Sequence, residues 1–128
     1  IVSNGEVTSL ISLTSDIRLK KDIRDFNGLS LMKKIGSAFS YKWNEKARSL
    51  NPNFANDYES YSWSAQKVNE ALPQFTIKNL YGSDYLGIKK ESLLPLAWNG
   101  VLELDDRVTK LEKRVKHLEE RLSKYEAA

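Results

Sequence analysis

Ser15 and Lys20 are the pair whose types and setting raise the question of covalent chemistry in this 128-residue chain. They lie in the stretch TSDIRLKKDI, residues 14 to 23, among several charged neighbours. A serine hydroxyl is a poor nucleophile until a neighbour takes its proton. The chain has no cysteine, and its one histidine, His117, lies far along the sequence. A carboxylate or a lysine is therefore left as the base. Lysine is almost wholly charged at neutral pH, with about one molecule in a few thousand neutral. A lysine base must therefore be desolvated or set beside other cations, as Arg18 and Lys21 would be here. The competing reading is plainer. Ser15 would cap a helix, with Asp16 placed favourably in its first turn. Ile17 and Leu19 alternate as they would in a strand. A five-residue offset aligns the two groups on neither a helix nor a strand, so a bend would have to bring them together.

The elements around that stretch can be read from periodicity. Residues 1–14, IVSNGEVTSLISLT, are rich in β-branched residues and broken by Asn4-Gly5, a turn signal. They read as the tail of a β-structured region. Residues 29–36 put Leu29, Met32 and Ile35 near one helical face between Gly28 and Gly36. Residues 38–47, AFSYKWNEKA, alternate with period two and carry three aromatics, which predicts a strand. Residues 50–62 read as a loop. Residues 63–72 predict a short helix ended by Pro73, and residues 75–88 a hairpin turning at 81–84.

The last third of the chain is patterned differently. Val101, Leu104, Val108, Leu111, Val115, Leu118, Leu122 and Tyr125 recur at alternating spacings of three and four. Leu94 and Ala97 extend the same frame backwards. This is a heptad seam on a helix of about residues 92–125, with Ser92 as its cap and Pro95 in its first turn. Leu94 to Tyr125 would span roughly 45–50 Å. A seam that long cannot be covered by the remaining 80 or so residues, so it predicts self-association. With Val101 at position a, Arg107, Arg114 and Arg121 fall at g, and Asp105, Glu112 and Glu119 at e. A parallel arrangement pairs arginine with glutamate, whereas an antiparallel one sets arginine against arginine. Valine at a with leucine at d leans towards two strands. RVTKLE (107–112) and RVKHLE (114–119), however, resemble the arginine-to-glutamate pattern of trimeric coiled coils, and they favour three. His117 falls at position c, on the solvent side.

Composition bounds the rest. Hydrophobic residues make up 41% and charged residues 29%, enough for one domain with a modest core. A net charge of +3 is too small to argue for nucleic acid. With no cysteine and a single histidine, no metal-ligand cluster is expected, and no cofactor is implied. No apolar run reaches the length of a membrane span. No Met opens the chain, which reads as part of something longer. The expected fold class is mainly α with small β-hairpin elements (α+β), its long C-terminal helix forming a parallel trimeric coiled coil.

SDIRLKKDI resembles the Ser-Asp-x-Arg-x-Lys signature that opens the intramolecular chaperone domain of phage tailspikes, tail fibres and neck appendages, the S74 autoprotease family. The aromatic strand FSYKW, the segment WSAQKVNEALP, the tyrosine-bearing hairpin and the long helix follow in the family's order. The resemblance covers about residues 15–122. Ser62-Trp63-Ser64 departs from it, standing where a glycine and aliphatics are commoner. The resemblance implies residues 1–14 as the end of an upstream β-rich region and 15–128 as a chaperone domain that trimerises that region and then removes itself. It implies cleavage between Thr14 and Ser15, with Ser15 as nucleophile, Lys20 as general base, and Asp16 and Arg18 in positioning or electrostatic roles. The implied partners are two further copies of the chain and its own upstream region, in a virion precursor assembled in the bacterial host cytoplasm. Two other readings stand beside it. One is a non-catalytic trimerisation module in which Ser15 is only a cap. The other is the same domain in animal membrane-anchored transcription factors, which needs a membrane span and a DNA-binding motif, neither of which the sequence has.

Overall fold

The computed structural model describes residues 10–127. Helix α1, Gly28–Ile35, starts at Asn27, whose side chain accepts from the Ser30 N–H, and stops at Gly36, which takes φ 84°. Strand β1, Phe39–Tyr41, pairs antiparallel with β2, Ser60–Ser62, so that Phe39 faces Ser62 and Tyr41 faces Ser60. Between them lie helix α2, Glu45–Leu50, and a 3-10 turn at Pro52–Phe54. Helix α3, Ala65–Ala71, is capped by Ser64 and ends before Pro73. Strands β3, Thr76–Leu80, and β4, Tyr85–Ile88, form an antiparallel hairpin. At its tip Tyr81 and Gly82 both adopt positive φ, as the tight reversal of a twisted ribbon requires. A 3-10 turn at Lys90–Leu93 runs directly into α4, Leu94–Ala127.

Four sequence expectations change. The strand predicted over 38–47 stops at Tyr41, because Asn44 caps α2 by accepting from the Ala47 N–H at 2.9 Å. Capping geometry overrides the period-two pattern there. The loop predicted over 50–62 supplies β2, three polar-rich residues that become a strand only through pairing with β1. Ser92 lies inside the 3-10 turn instead of capping α4. Residues 10–13 are helical and not extended, with the Thr14 N–H and hydroxyl both donating to the Leu10 carbonyl at 3.0 and 2.6 Å. Residues 1–9 lie outside the described part.

The core is small. Ile35, Val68, Leu93 and Leu96 are buried, with Trp63, Leu72, Phe75 and Ile88 packed against them. Helix α1 is gripped between α3 and the first turns of α4. Phe39, Tyr41, Trp43, Phe54 and Tyr81 form a continuous chain of ring contacts with centroids 4.4–6.1 Å apart, joining the β1–β2 ribbon to the hairpin. The Thr76 hydroxyl, at the buried start of β3, sits 2.7 Å from the Pro73 carbonyl and 2.9 Å from Asn69 Oδ1, so it is satisfied.

Helix α4 divides by face. Leu96 and Gly100 are buried against the body. From residue 104 to 127 every position is exposed. The eight seam residues, Val101 to Tyr125, retain between 47% and 83% of their surface, so nothing among the described residues covers them. At 34 residues the helix is about 51 Å long, most of it projecting from the body.

Candidate active site

The site is built on a single 3-10 turn at Ile17–Leu19, which Asp16 caps. Asp16 Oδ1 accepts from the Arg18 N–H at 2.9 Å. The same carboxylate meets the Arg18 guanidinium as a fork, with Nε at 3.1 Å from Oδ1 and Nη2 at 2.7 Å from Oδ2. The turn closes through the Leu19 N–H to the Asp16 carbonyl and the Lys20 N–H to the Ile17 carbonyl, at 3.0 and 3.2 Å. Lys20 then leaves in an extended conformation. The turn shortens the path between residues 15 and 20, and Lys20 Nζ reaches Ser15 Oγ at 2.7 Å.

Asp16 takes the capping position, so the Ser15 hydroxyl meets the lysine instead of a helix terminus. A small polar residue there can either cap or pair, and the structure separates the two uses: Asp16 caps, Ser15 pairs. The signal available beforehand was the Asp-x-Arg spacing, which suits a carboxylate serving one backbone N–H and one guanidinium two residues on. The guanidinium and N–H of Arg18 hold the Asp16 carboxyl below its usual range, and the carboxylate in turn raises Arg18. Both stay charged across the physiological range.

Thr14, on the other side of the bond before Ser15, is fixed by its two hydrogen bonds to the Leu10 carbonyl. Thr14, Ser15, Asp16, Arg18 and Lys20 therefore stand together, and all are exposed in the isolated protomer, as is the whole of residues 10–27. The seam residues lie apart from this cluster on α4. His117 is exposed beside Lys113, Arg114 and Arg121. Among the described residues no group of histidine, cysteine and carboxylate side chains is arranged to hold a metal. Among them, too, no helix is long and apolar enough to cross a membrane. A separate groove of about 650 Å³ lies between the two ribbons and α2, lined by Tyr41, Trp43, Lys46, Phe54, Tyr81 and Tyr85 among others. It shares no residue with the Ser15–Lys20 cluster.

Chemically, a hydroxyl and an amine in direct contact can pass a proton when the amine is neutral. The Thr14 carbonyl carbon is bonded to the Ser15 nitrogen, one residue before that hydroxyl. No match to the chain is found among curated proteins. The model of the Peptidase_S74 family, described as chaperone of endosialidase, matches residues 15–77, starting at Ser15 itself and running into β3, and this segment of the chain belongs to that family.

Proposed function

We propose that residues 15–128 form an intramolecular chaperone that trimerises and folds an upstream β-rich region of a phage fibre, spike or appendage, and then cuts itself away between Thr14 and Ser15. The contact that carries this reading is the 2.7 Å approach of Lys20 Nζ to Ser15 Oγ, next to the bond at which the family match begins. Ser15 Oγ attacks the Thr14 carbonyl carbon while neutral Lys20 takes the hydroxyl proton. The C–N bond breaks, the Ser15 nitrogen receives a proton, and the Thr14 acyl group is left as an ester on Ser15. Water then hydrolyses that ester, giving a Thr14 carboxylate and a free Ser15 hydroxyl. No cofactor takes part.

Assembly supplies what the protomer lacks. In the isolated chain Ser15 and Lys20 are exposed, whereas a lysine that is to act as a base needs desolvation. The exposed seam on α4 brings three copies together in parallel, raising the local concentration of three client regions and setting their register. Cleavage that waits for this burial reports a completed trimer. On this reading the precursor assembles in the bacterial host cytoplasm, with its own upstream region as client and neither nucleic acid nor membrane as partner.

The exposed seam also fits a second reading, a trimerisation module that never cuts. Intact mass of the full chain separates the two. Self-cleavage yields a peptide of residues 1–14 and a domain of 15–128, and Ser15→Ala or Lys20→Ala leaves a single species. Continued cutting in both variants rules out the dyad.

A further inference from the structure

Residues 10–27 are exposed throughout, so the segment bearing Ser15 and Lys20 is held to the body chiefly where it enters α1. That joint is made by α4. The Leu29 N–H donates to Glu103 Oε2 at 2.7 Å, a partly buried bond between residues 74 apart in sequence. Asn99 Nδ2 reaches the Phe26 carbonyl at 3.5 Å. Between them Gly28 is buried so closely on the helix that a Cβ there would collide with the Leu96 carbonyl oxygen and lie 2.9 Å from the Gly100 nitrogen.

Leu96, Asn99, Gly100 and Glu103 recur at spacings of three, four and seven, one face of α4. Val101, Leu104 and Val108 mark the seam on a different face of the same turns. One rigid stretch of helix therefore carries both the assembly surface and the anchor for the segment bearing the dyad. We propose that Glu103, supported by Asn99, is a positioning residue for self-cleavage: acting through Leu29 and Phe26, it fixes the direction in which residues 15–20 leave the helix that assembles. This rests on the self-cleavage reading above. Its physical content is that an attacking hydroxyl misaimed by about an ångström loses rate steeply, while the assembly surface is untouched. Glu103 sits at heptad position c and takes no part in the seam or its e and g rims.

The test uses the full 128-residue chain with Glu103→Ala, Glu103→Gln and Ser15→Ala. Oligomeric mass is measured by sedimentation, and release of residues 1–14 by intact mass over time. Glu103→Ala is expected to stay trimeric yet cut about tenfold more slowly, the scale of losing one charge-assisted hydrogen bond. Glu103→Gln keeps an acceptor for the Leu29 N–H and is expected to cut within about threefold of the parent. The inference falls if trimeric Glu103→Ala cuts at the parent rate, if Glu103→Gln loses as much as Glu103→Ala, or if Glu103→Ala no longer trimerises. Ser15→Ala keeps the two ideas apart. If it still cuts, the dyad reading fails, whatever the Glu103 variants do.

Discussion

Lys20 Nζ stands 2.7 Å from Ser15 Oγ across a single 3-10 turn, and that turn is held shut by Asp16 and Arg18. The two residues that touch the proposed chemistry and the two that do not are thus one unit of local structure. A strand over the same residues would put Ser15 and Lys20 on opposite faces, and an α-helix would set them more than a quarter-turn apart.

In the proposed reaction Lys20 must accept a proton, which charge alone does not satisfy. Lys20→Arg keeps the cation and much of the reach, but a guanidinium does not deprotonate in proteins. Self-cleavage of Lys20→Arg, followed by intact mass, should therefore fall by at least about a hundredfold, the scale of a lost general base. Cutting at near the parent rate would show that lysine serves only to hold charge.

The Asp16–Arg18 fork makes a separate prediction in pH. Arg18 holds the Asp16 carboxyl below its ordinary value of 3.8. A carboxyl lowered in the folded state contributes above the unfolded value and loses that contribution as pH falls through the lowered one. The turn should thus persist as pH drops to the ordinary carboxylate range and open only below it. Proton-monitored titration of the Asp16 carboxyl by NMR in the Ser15→Ala chain should give a midpoint under 3.8. Arg18→Ala should move that midpoint back up. An unchanged midpoint in Arg18→Ala would mean that the fork does not form in solution.

Much of this arrangement was legible in the sequence, for reasons that differ by residue. The heptad spacing from Val101 to Tyr125 marks a long helix because the pattern repeats over more than three heptads. Gly36 and Pro73 mark helix ends because each solves a local backbone problem at a terminus, whereas the caps Asn27 and Ser64 emerge only in the structure. Strand β2 was not legible: Ser60, Tyr61 and Ser62 carry no alternation, and only pairing with β1 defines them. Helix α2 was hidden because the aromatics of 39–43 extend a period-two pattern up to its cap. The Ser15–Lys20 contact depends on which of two adjacent polar residues caps the turn, a choice that spacing does not make. The Glu103–Leu29 bond joins residues 74 apart, beyond the reach of any local pattern.

Two glycines face each other across the α1–α4 contact and should respond differently to the same change. At Gly28 an added Cβ meets backbone, the Leu96 carbonyl oxygen and the Gly100 nitrogen, which cannot move without separating the helices. At Gly100 the nearest atom is Met32 Sδ, 2.6 Å away on a flexible side chain. Gly28→Ala should cost about 1–3 kcal/mol or more, the scale of overpacking. Gly100→Ala should cost less than half of that, because alanine also favours the helix. Urea unfolding of both variants on the Ser15→Ala background, at one protein concentration, measures the difference. Equal losses would mean that α1 and α4 do not meet as closely as this.

The seam makes the prediction on which self-association depends. Leu111 is 55% exposed in the protomer, with Val108 and Val115 in line beside it. Burying it in a three-helix core makes a leucine-to-alanine change cost about 2–5 kcal/mol per chain, and three chains carry it. Leu111→Lys adds an unpaired charge at the same layer. The uncut Ser15→Ala chain should sediment at about three times the 14.7 kDa mass of one chain. Leu111→Lys should sediment as a monomer, and it should release no residue 1–14 peptide even though Ser15 and Lys20 are intact. Lys113→Ala, two residues away at a position facing solvent, should change neither. A parent chain that stays monomeric at micromolar concentration would remove the trimer. A monomeric Leu111→Lys that still cuts at the parent rate would show that the contact between Ser15 and Lys20 needs no assembly to act.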